Sequence, residues 1–231
     1  MRRAIENARV RLNWTAAYRA VPFALLLLAV ATLFHVAAEV REGDTLAWDQ
    51  AFLLSLRHAD DVALPLGPGW IKTAMVNYTS LGGMAVLLLI TLSTIGSLVI
   101  ARRRVDALFL SVGVAGGWLC SNALKIWIAR PRPDVVTHLV AVGDASFPSD
   151  HAMVSAATYL TLAAVAVRFL HAPAQKAYVF IVAGALIGTI GISRIYLGVH
   201  YPTDVLFGWF AGSVWAFACW LIFRRFLPPS V

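Results

Sequence analysis

The chain has 231 residues, of which 60% are hydrophobic and only 13% are charged, and its mean hydropathy is +0.75. Soluble domains carry about 25% charged residues, so this composition excludes an ordinary soluble domain and is typical of a protein with several membrane spans. The formal net charge of +7 does not predict nucleic-acid binding. The basic residues lie in short clusters between apolar runs, as in the cytoplasmic loops of membrane proteins.

Six apolar segments are long enough to cross a membrane, since a bilayer core of ~30 Å takes about 20 helical residues. They cover residues 22–40, 81–101, 107–128, 151–170, 177–195 and 203–223. We therefore predict an all-α fold, a bundle of six transmembrane helices. No Ser/Gly linker divides the segments, so residues 1–231 are expected to form a single domain, with a motif-bearing core over 107–223.

The basic residues predict the orientation of the bundle. If the spans alternate, most of these residues fall on one side, in clusters before the first span, at 102–104, at 168–176 and at 224–225. Such a bias marks the cytoplasmic side, so both termini are expected in the cytoplasm. The alternative for the first segment is a cleavable signal peptide.

The segment between the first two spans is then expected outside, over residues 41–80. Apolar side chains at helical spacing over 47–57 are compatible with a short interfacial helix, or equally with an exposed loop that has one packed turn. The following "LPLGPGW" contains prolines and glycines that interrupt regular structure.

The first polar motif is "KIWIARPRP", at the outer end of the third span. Lys125 and Arg132 supply two cations, and Pro131 and Pro133 predict that the chain leaves the helix around Arg130. Two cations near one point suit an anion. Alternatively, the lysine snorkels to the interface and the arginines bind lipid head groups.

The second motif, "PSDH", opens the fourth span. Ser149 is a favourable N-cap, and the free backbone N–H groups of a helix N-terminus attract anions. His151 is expected in the first turn of that helix. The alternative is a simple cap followed by a surface histidine.

The third motif, "SRIYLGVHYPTD", joins the fifth and sixth spans. Arg194 ends one helix, and Asp204 is expected in the first turn of the next, within reach of His200. A carboxylate that holds one imidazole nitrogen fixes the tautomer and leaves the other nitrogen as base or nucleophile. The alternative is an aspartate that merely caps its helix.

All three motifs lie at the same face of the predicted bundle, and together they predict a phosphate site. Phosphoryl transfer needs cations around the phosphate oxygens, a nucleophile in line and a proton for the leaving oxygen. His200 can attack and His151 can act as general acid and then as base. The cations are Lys125, Arg132 and Arg194, helped by Ser149 and by backbone amides.

A metal site built from His151, His200 and Asp204 is the competing interpretation. It is disfavoured because the three neighbouring cations would repel a divalent ion and already supply its charge. Carboxylate-rich coordination is also missing from these motifs. We therefore predict no metal and no cofactor.

Taken together, the three motifs resemble those of the type 2 phosphatidic acid phosphatase superfamily. Its pattern is Lys, six residues, Arg-Pro; then Pro-Ser-Gly-His; then Ser-Arg, five residues, His, three residues, Asp. The first and third motifs match in full, and the second differs at one position. The resemblance implies a six-helix membrane phosphatase that is metal-independent and forms a phosphohistidine.

The same resemblance implies a role for each matching side chain. His200 would be the nucleophile, Asp204 its partner and His151 the acid. The phosphate ligands would be Lys125, Arg132, Ser149 and Arg194.

The one departure is Asp150, where the family usually has glycine. Its N–H can still donate to phosphate, but its carboxylate must be paired, and we expect Arg130 or Arg132 as the partner. Pro-Ser-Asp-His resembles the motif of bacterial undecaprenyl-diphosphate phosphatases. This favours a polyprenyl diphosphate substrate, with phosphatidate or phosphatidylglycerol phosphate as alternatives.

Two other functions remain compatible with the motifs. One is a lipid phosphotransferase that passes the phosphate to another lipid through the same site. The other is a non-catalytic protein that binds anionic lipids, although binding alone needs no set of His151, His200 and Asp204. The sequence makes no prediction of oligomeric state.

Overall fold

The computed structural model describes residues 2–227, with side chains from residue 20 onward. It contains eight α-helices and one two-stranded sheet within that range. The elements are α1 (Arg2–Glu42), α2 (Leu46–Leu54), β1 (Arg57–His58), β2 (Asp61–Pro65), α3 (Gly69–Ser80), α4 (Met84–Ile100), α5 (Arg104–Ile128), α6 (Asp150–Ala166), α7 (Pro173–Tyr196) and α8 (Pro202–Phe223). A 3₁₀ turn, Val167–Phe169, follows α6.

Five helices of the described chain are long and apolar enough to cross a membrane: α5, α7, α8, α6 with its 3₁₀ turn, and α1 from Ala20 onward. Helices α3 and α4 meet at a bend of 43°, and counting this pair as one span gives six. The break lies at Gly82, where a Cβ would come within 2.5 Å of Ile190 on α7. Glycine therefore lets the corner of the bent pair approach α7 closely.

Two features of the segment between α1 and α4 differ from the prediction. Helix α3 begins directly after Pro68, because proline and glycine stop a preceding element but are well tolerated where a helix starts. Residues 57–65 form an antiparallel hairpin, with Arg57 opposite Pro65 and His58 opposite Asp61, so the fold is mostly rather than purely helical. Of the two alternatives for residues 47–57, a helix is present, and it covers Leu46–Leu54 as α2.

Helix α6 forms the centre of the bundle, packed against α5, α7 and α8. It is the most buried of the candidate spans, whereas α1 lies at the periphery. Small residues allow this close packing: at Gly212 on α8, a Cβ would lie 2.3 Å from the backbone oxygen of Met153. The N-terminus of α6 is consequently held firmly between its neighbours.

Two opposite ends of the bundle can be distinguished. One of them, which we call the site end, contains the last residues of α5 and α7, the first residues of α6 and α8, and the loop 129–149. The opposite end carries Asp106, a buried carboxylate that accepts hydrogen bonds at 2.7 Å from Arg103 and at 2.7 Å from Arg168. Helix α5 separates the two ends by about 30 Å, at 1.5 Å of rise per residue.

Candidate active site

The site end contains a pocket of about 330 Å³, lined by five of the residues predicted to form the site. These are Arg132, Asp150, His151, Arg194 and His200. Lys125, Ser149 and Asp204 lie beside or behind them and are all buried. The three motifs therefore meet at one end of the bundle, as the sequence predicted.

His200 is buried and presents one ring nitrogen to this pocket. Its Nδ1 lies 2.8 Å from the backbone oxygen of Ser146, and its Nε2 lies 3.2 Å from Arg132 Nη1. A carbonyl can only accept, so Nδ1 carries the proton in the neutral ring and Nε2 keeps its lone pair. The tight turn before His200 requires Gly198, whose φ is +75°.

Asp204 lies further from the imidazole than the sequence led us to expect. Its Oδ2 is 3.6 Å from His200 Nδ1, because the oxygen of Ser146 takes the nearer position. Oδ2 instead accepts hydrogen bonds from the Ser146 hydroxyl and, at 2.9 Å, from the Tyr201 N–H. Asp204 therefore acts on His200 mainly through its charge and through its hold on Ser146.

The pKa of His200 is lowered to about 4, chiefly because burial disfavours the charged ring. Asp204 opposes this change, whereas the positive charges of Arg132 and Arg194 add to it. Near neutral pH the ring is accordingly uncharged, as a nucleophile requires.

Among the described side chains, two residues of the three motifs, Ser149 and Arg194, each have a buried polar atom without a hydrogen-bond partner. Ser149 is the N-cap of α6 as predicted, but its hydroxyl makes no capping bond and is one of these atoms. The other is Nε of Arg194, whose Nη1 donates to Thr79 of α3 at 3.0 Å. Unpartnered buried donors are costly, and both fit an anion bound at the N-terminus of α6.

Lys125 and Arg132 are bridged by a carboxylate that the sequence reasoning missed. Asp144 lies 3.1 Å from Lys125 Nζ and forms a close ion pair with Arg132. Burial opposes ionisation, but the two cations hold the pKa of Asp144 well below its usual range. Side-chain exposure of 53% leaves this carboxylate free to be replaced.

Asp150 is paired, but not with the predicted arginines. Its Oδ1 accepts a hydrogen bond from Ser121 at 2.5 Å, and its Oδ2 lies 3.4 Å from Lys125 Nζ. Ser121 and Lys125 are four residues apart on α5 and so share the face that meets the first turn of α6. The expected pairing with Arg130 or Arg132 is wrong, because both guanidinium groups are engaged by other carboxylates.

The role of Arg130 was also missed by the sequence reasoning. It lies buried between Asp204, at 2.6 Å, and Asp49 of α2, at 2.8 Å. Burial tends to lower the pKa of Arg130, yet the two carboxylates raise it overall. The sequence contains one indication that Asp49 needs a charged partner, because it is a lone acid within the apolar sequence "AWDQAF".

Fold and pocket together define an integral membrane protein with a pocket at one end of a helical bundle, lined by Arg132 and Arg194. The chain belongs to the PAP2 superfamily, whose model matches residues 106–228. Its relatives are phosphatases, and the chain is a lipid phosphatase of this family. The family resemblance and the enzyme class predicted from the motifs are confirmed.

Two relatives and one solved structure illustrate the similarity. Phosphatidylglycerophosphatase B of Bacillus subtilis is 36% identical over 144 residues, which are 62% of this chain and 70% of the relative. Decaprenylphosphoryl-5-phosphoribose phosphatase of Mycobacterium tuberculosis is 29% identical over 120 residues, 51% of this chain and 61% of the relative. The crystal structure of a transmembrane PAP2-type phosphatidylglycerolphosphate phosphatase from Bacillus subtilis superimposes with a TM-score of 0.76 at 28% identity, covering 87% of this chain and 96% of that one.

Proposed function

We propose that the protein removes a phosphate group from a membrane lipid through a phosphohistidine on Nε2 of His200. The observation that carries this proposal is the placement of that ring. Its Nδ1 faces the Ser146 oxygen, while Nε2 opens into a pocket that Arg132 and Arg194 also line.

In the first step, Nε2 of His200 attacks phosphorus and the bond to the leaving lipid oxygen breaks. His151, on the same pocket wall, donates a proton to that oxygen. The phosphorylated ring keeps its Nδ1 proton and carries a positive charge, which Asp204 stabilises from 3.6 Å. Positive charge around the phosphate oxygens comes from Lys125, Arg132 and Arg194, with the Ser149 hydroxyl and the Asp150 N–H as further donors.

In the second step, water takes the place of the lipid alcohol. His151, now without its proton, accepts one from the water, whose oxygen attacks phosphorus as the P–N bond breaks. Inorganic phosphate leaves, and the bonding electrons return to Nε2, which restores neutral His200.

Substrate binding replaces Asp144 on its two cations. The carboxylate lies on Lys125 and Arg132, the side chains that would hold the phosphate oxygens. A phosphate dianion offers these cations more charge and more acceptor atoms than a carboxylate does. Asp144 therefore competes with substrate, and it swings towards solvent when the phosphate enters.

An apolar groove of about 500 Å³ between α4 and α5 supports a lipid substrate. It shares Met84, Leu87 and Val154 with the phosphate pocket and continues along the membrane-facing side of the bundle. A tail in this groove would leave its head group at His200.

Two kinds of lipid are the first substrates to test. One is phosphatidylglycerophosphate, the lipid to which the names of the two Bacillus subtilis proteins refer. The other is a polyprenyl diphosphate, which the Asp150 motif favours. The decaprenyl-linked phosphate in the name of the mycobacterial relative also supports a prenyl tail.

The hydrolysis test uses protein purified in detergent with EDTA and offers it both lipids and phosphatidate. We expect release of inorganic phosphate that His200→Ala reduces at least about a thousandfold. His58→Ala is the matched control, because His58 is exposed in the hairpin. Equal activity in the two variants would remove His200 as the nucleophile, and phosphate recovered on an added acceptor lipid would indicate phosphotransfer.

We further propose that the pocket opens at the outer face of the membrane. The arginines at 102–104 lie at the opposite end of the bundle, and such clusters favour the cytoplasm. Tags in the loop 129–149 should be accessible from outside intact cells, whereas tags at 102–104 should not. The reverse labelling would place the pocket in the cytoplasm.

A further inference from the structure

Asp49 of α2 is a completely buried carboxylate that lies outside residues 106–228. Its Oδ2 accepts hydrogen bonds from Arg130 Nη2 at 2.8 Å and from the Thr203 hydroxyl at 2.6 Å. Its Oδ1 accepts from the Thr203 N–H at 3.0 Å. Both partners belong to the site end: Arg130 follows α5, and Thr203 lies in the first turn of α8, next to Asp204.

Arg130 connects Asp49 to Asp204, the carboxylate beside the proposed nucleophile His200. Its Nη1 donates to Asp204 at 2.6 Å, and the guanidinium lies 4.2 Å from the ring centre of Tyr201. Both ends of the guanidinium fork are therefore occupied by carboxylates. Arg130 does not line the phosphate pocket, so its position serves Asp204 rather than substrate.

The balance of charge explains why a second carboxylate is present. Arg130 alone would neutralise Asp204, and the positively charged ring of a phosphorylated His200 would then face a pair without net charge. With Asp49 included, two carboxylates share one guanidinium and the cluster keeps one negative charge. Since these groups are buried, that charge acts on His200 with little screening.

We propose that Asp49 is a positioning residue, which acts through Arg130 to orient Asp204 and to keep the surroundings of His200 negative. This inference rests on the proposed role of His200 as nucleophile. With this role, Asp49 makes α2 a support of catalysis. In a merely structural role, Asp49 would only anchor α2 to α8.

Several other charged or titratable groups also face His200. They are Asp204 from α8, Arg194 from α7, His151 from α6 and Arg132 from the loop 129–149. None of them touches Asp49, so Asp49→Asn removes no direct contact of these groups. A change in the titration of His200 in that variant consequently reports on the negative charge of the cluster and on the position of Asp204, which Asp49 controls through Arg130.

The test compares Asp49→Asn with Asp106→Asn in the full-length protein in detergent. Each substitution removes a completely buried carboxylate that is paired with arginine, but Asp106 lies at the opposite end. For Asp49→Asn we expect kcat per folded molecule to fall about tenfold with KM within about twofold. Asp106→Asn should lower the thermal unfolding temperature and leave both constants near those of the parent.

A second readout does not depend on turnover. Histidine ¹⁵N resonances can be followed by NMR, with His200 assigned from the spectrum of His200→Ala, since the chain has only six histidines. Loss of the negative charge in Asp49→Asn should lower the titration midpoint of His200 by about half a pH unit or more. If the parent has no phosphatase activity, the proposed function fails, while this measurement still decides the role of Asp49.

Arg130→Lys keeps the inference testable if Asp49→Asn does not fold. An ammonium keeps the charge but cannot bridge two carboxylates as the guanidinium fork does. We expect kcat to fall about tenfold with little change in the titration of His200. Parent-like kcat in Arg130→Lys, or an Asp49→Asn protein that loses stability but keeps its kcat and its His200 titration, would overturn the inference.

Discussion

Each end of the bundle contains a cluster of arginine and aspartate side chains, but the ratio of arginine to aspartate is reversed between the two ends. At the opposite end, one carboxylate, Asp106, holds two arginines. At the site end, one arginine, Arg130, holds two carboxylates. The first cluster has an excess of positive charge and the second an excess of negative charge. A buried ion pair therefore does not identify a functional site by itself; the sign of the excess and the group that it faces do.

In this comparison of the two ends, the largest expected effect is the loss of turnover in Asp204→Asn. The amide removes the negative charge beside His200 and offers one acceptor oxygen where the carboxylate offers two to Arg130, Ser146 and Tyr201, so we expect kcat to fall about a hundredfold or more. Steady-state kinetics with the preferred lipid, normalised to folded protein, measure this loss. Asp106→Asn serves as control, and an equal loss of kcat per folded molecule in both variants would show that turnover does not depend on which end loses its carboxylate.

Acidification should lower the stability of the folded protein through the site end, where His200 is buried. The pKa of His200 is about 4 in the folded protein against 6.5 for an ordinary histidine, so the unfolded chain binds the proton more readily. The stability that comes from a neutral His200 is complete above pH 6.5 and is lost as the pH falls towards 4. This loss is at most about 3 kcal/mol. Thermal unfolding in detergent between pH 4 and 8 measures it.

In that experiment His200→Ala should unfold with a weaker pH dependence than the parent. Ionisable groups that do not contact His200 keep their partners in both proteins and cancel in the difference. Identical pH dependence in both proteins would contradict the buried, neutral imidazole.

A smaller effect is expected from Asp144→Ala. Without the carboxylate on Lys125 and Arg132, substrate phosphate has no competitor, and KM should fall about threefold to tenfold with kcat little changed. Because KM can differ from the dissociation constant, calorimetric binding of vanadate provides a second measurement. Asp134→Ala, an exposed change in the same loop, is the control, and a rise in KM for Asp144→Ala would contradict the competition.

The smallest effect should come from Asp150→Gly, which restores the usual family residue. The Asp150 carboxylate contacts Ser121 and Lys125 rather than His200, so we expect turnover within about threefold of the parent. The informative readout is the ratio of kcat/KM for a polyprenyl diphosphate to that for phosphatidylglycerophosphate. An unchanged ratio would remove Asp150 as the source of substrate preference.

The sequence predicted the site end better than it predicted the partners of its residues. Helix ends carry local signals, and Ser149 before α6 and Asp204 in the first turn of α8 were interpreted correctly for that reason. Asp49 and Arg130 are 81 residues apart, and no local pattern indicates that they meet. Asp150 was assigned the wrong partner because spacing alone does not say which arginines already have partners.

The segment between α1 and α4 was the least predictable part of the fold. The hairpin at 57–65 has only two short strands, too few residues for an alternating pattern to appear. Helix α3 follows prolines and glycines that were interpreted only as interruptions. Its Thr79 contacts Arg194, so the sequence reasoning missed a contribution to the site as well.

In the proposed substrate complex, the bend between α3 and α4 would connect the phosphate head group with the lipid tail. One arm of the bend ends beside Thr79, the partner of Arg194, and the other arm starts at Met84 and lines the apolar groove. A tail that displaces α4 therefore also moves the support of a phosphate-binding arginine. In an enzyme of this design, a short-chain substrate should lose catalytic rate as well as affinity, because its missing carbons would have helped to set the arginine in place.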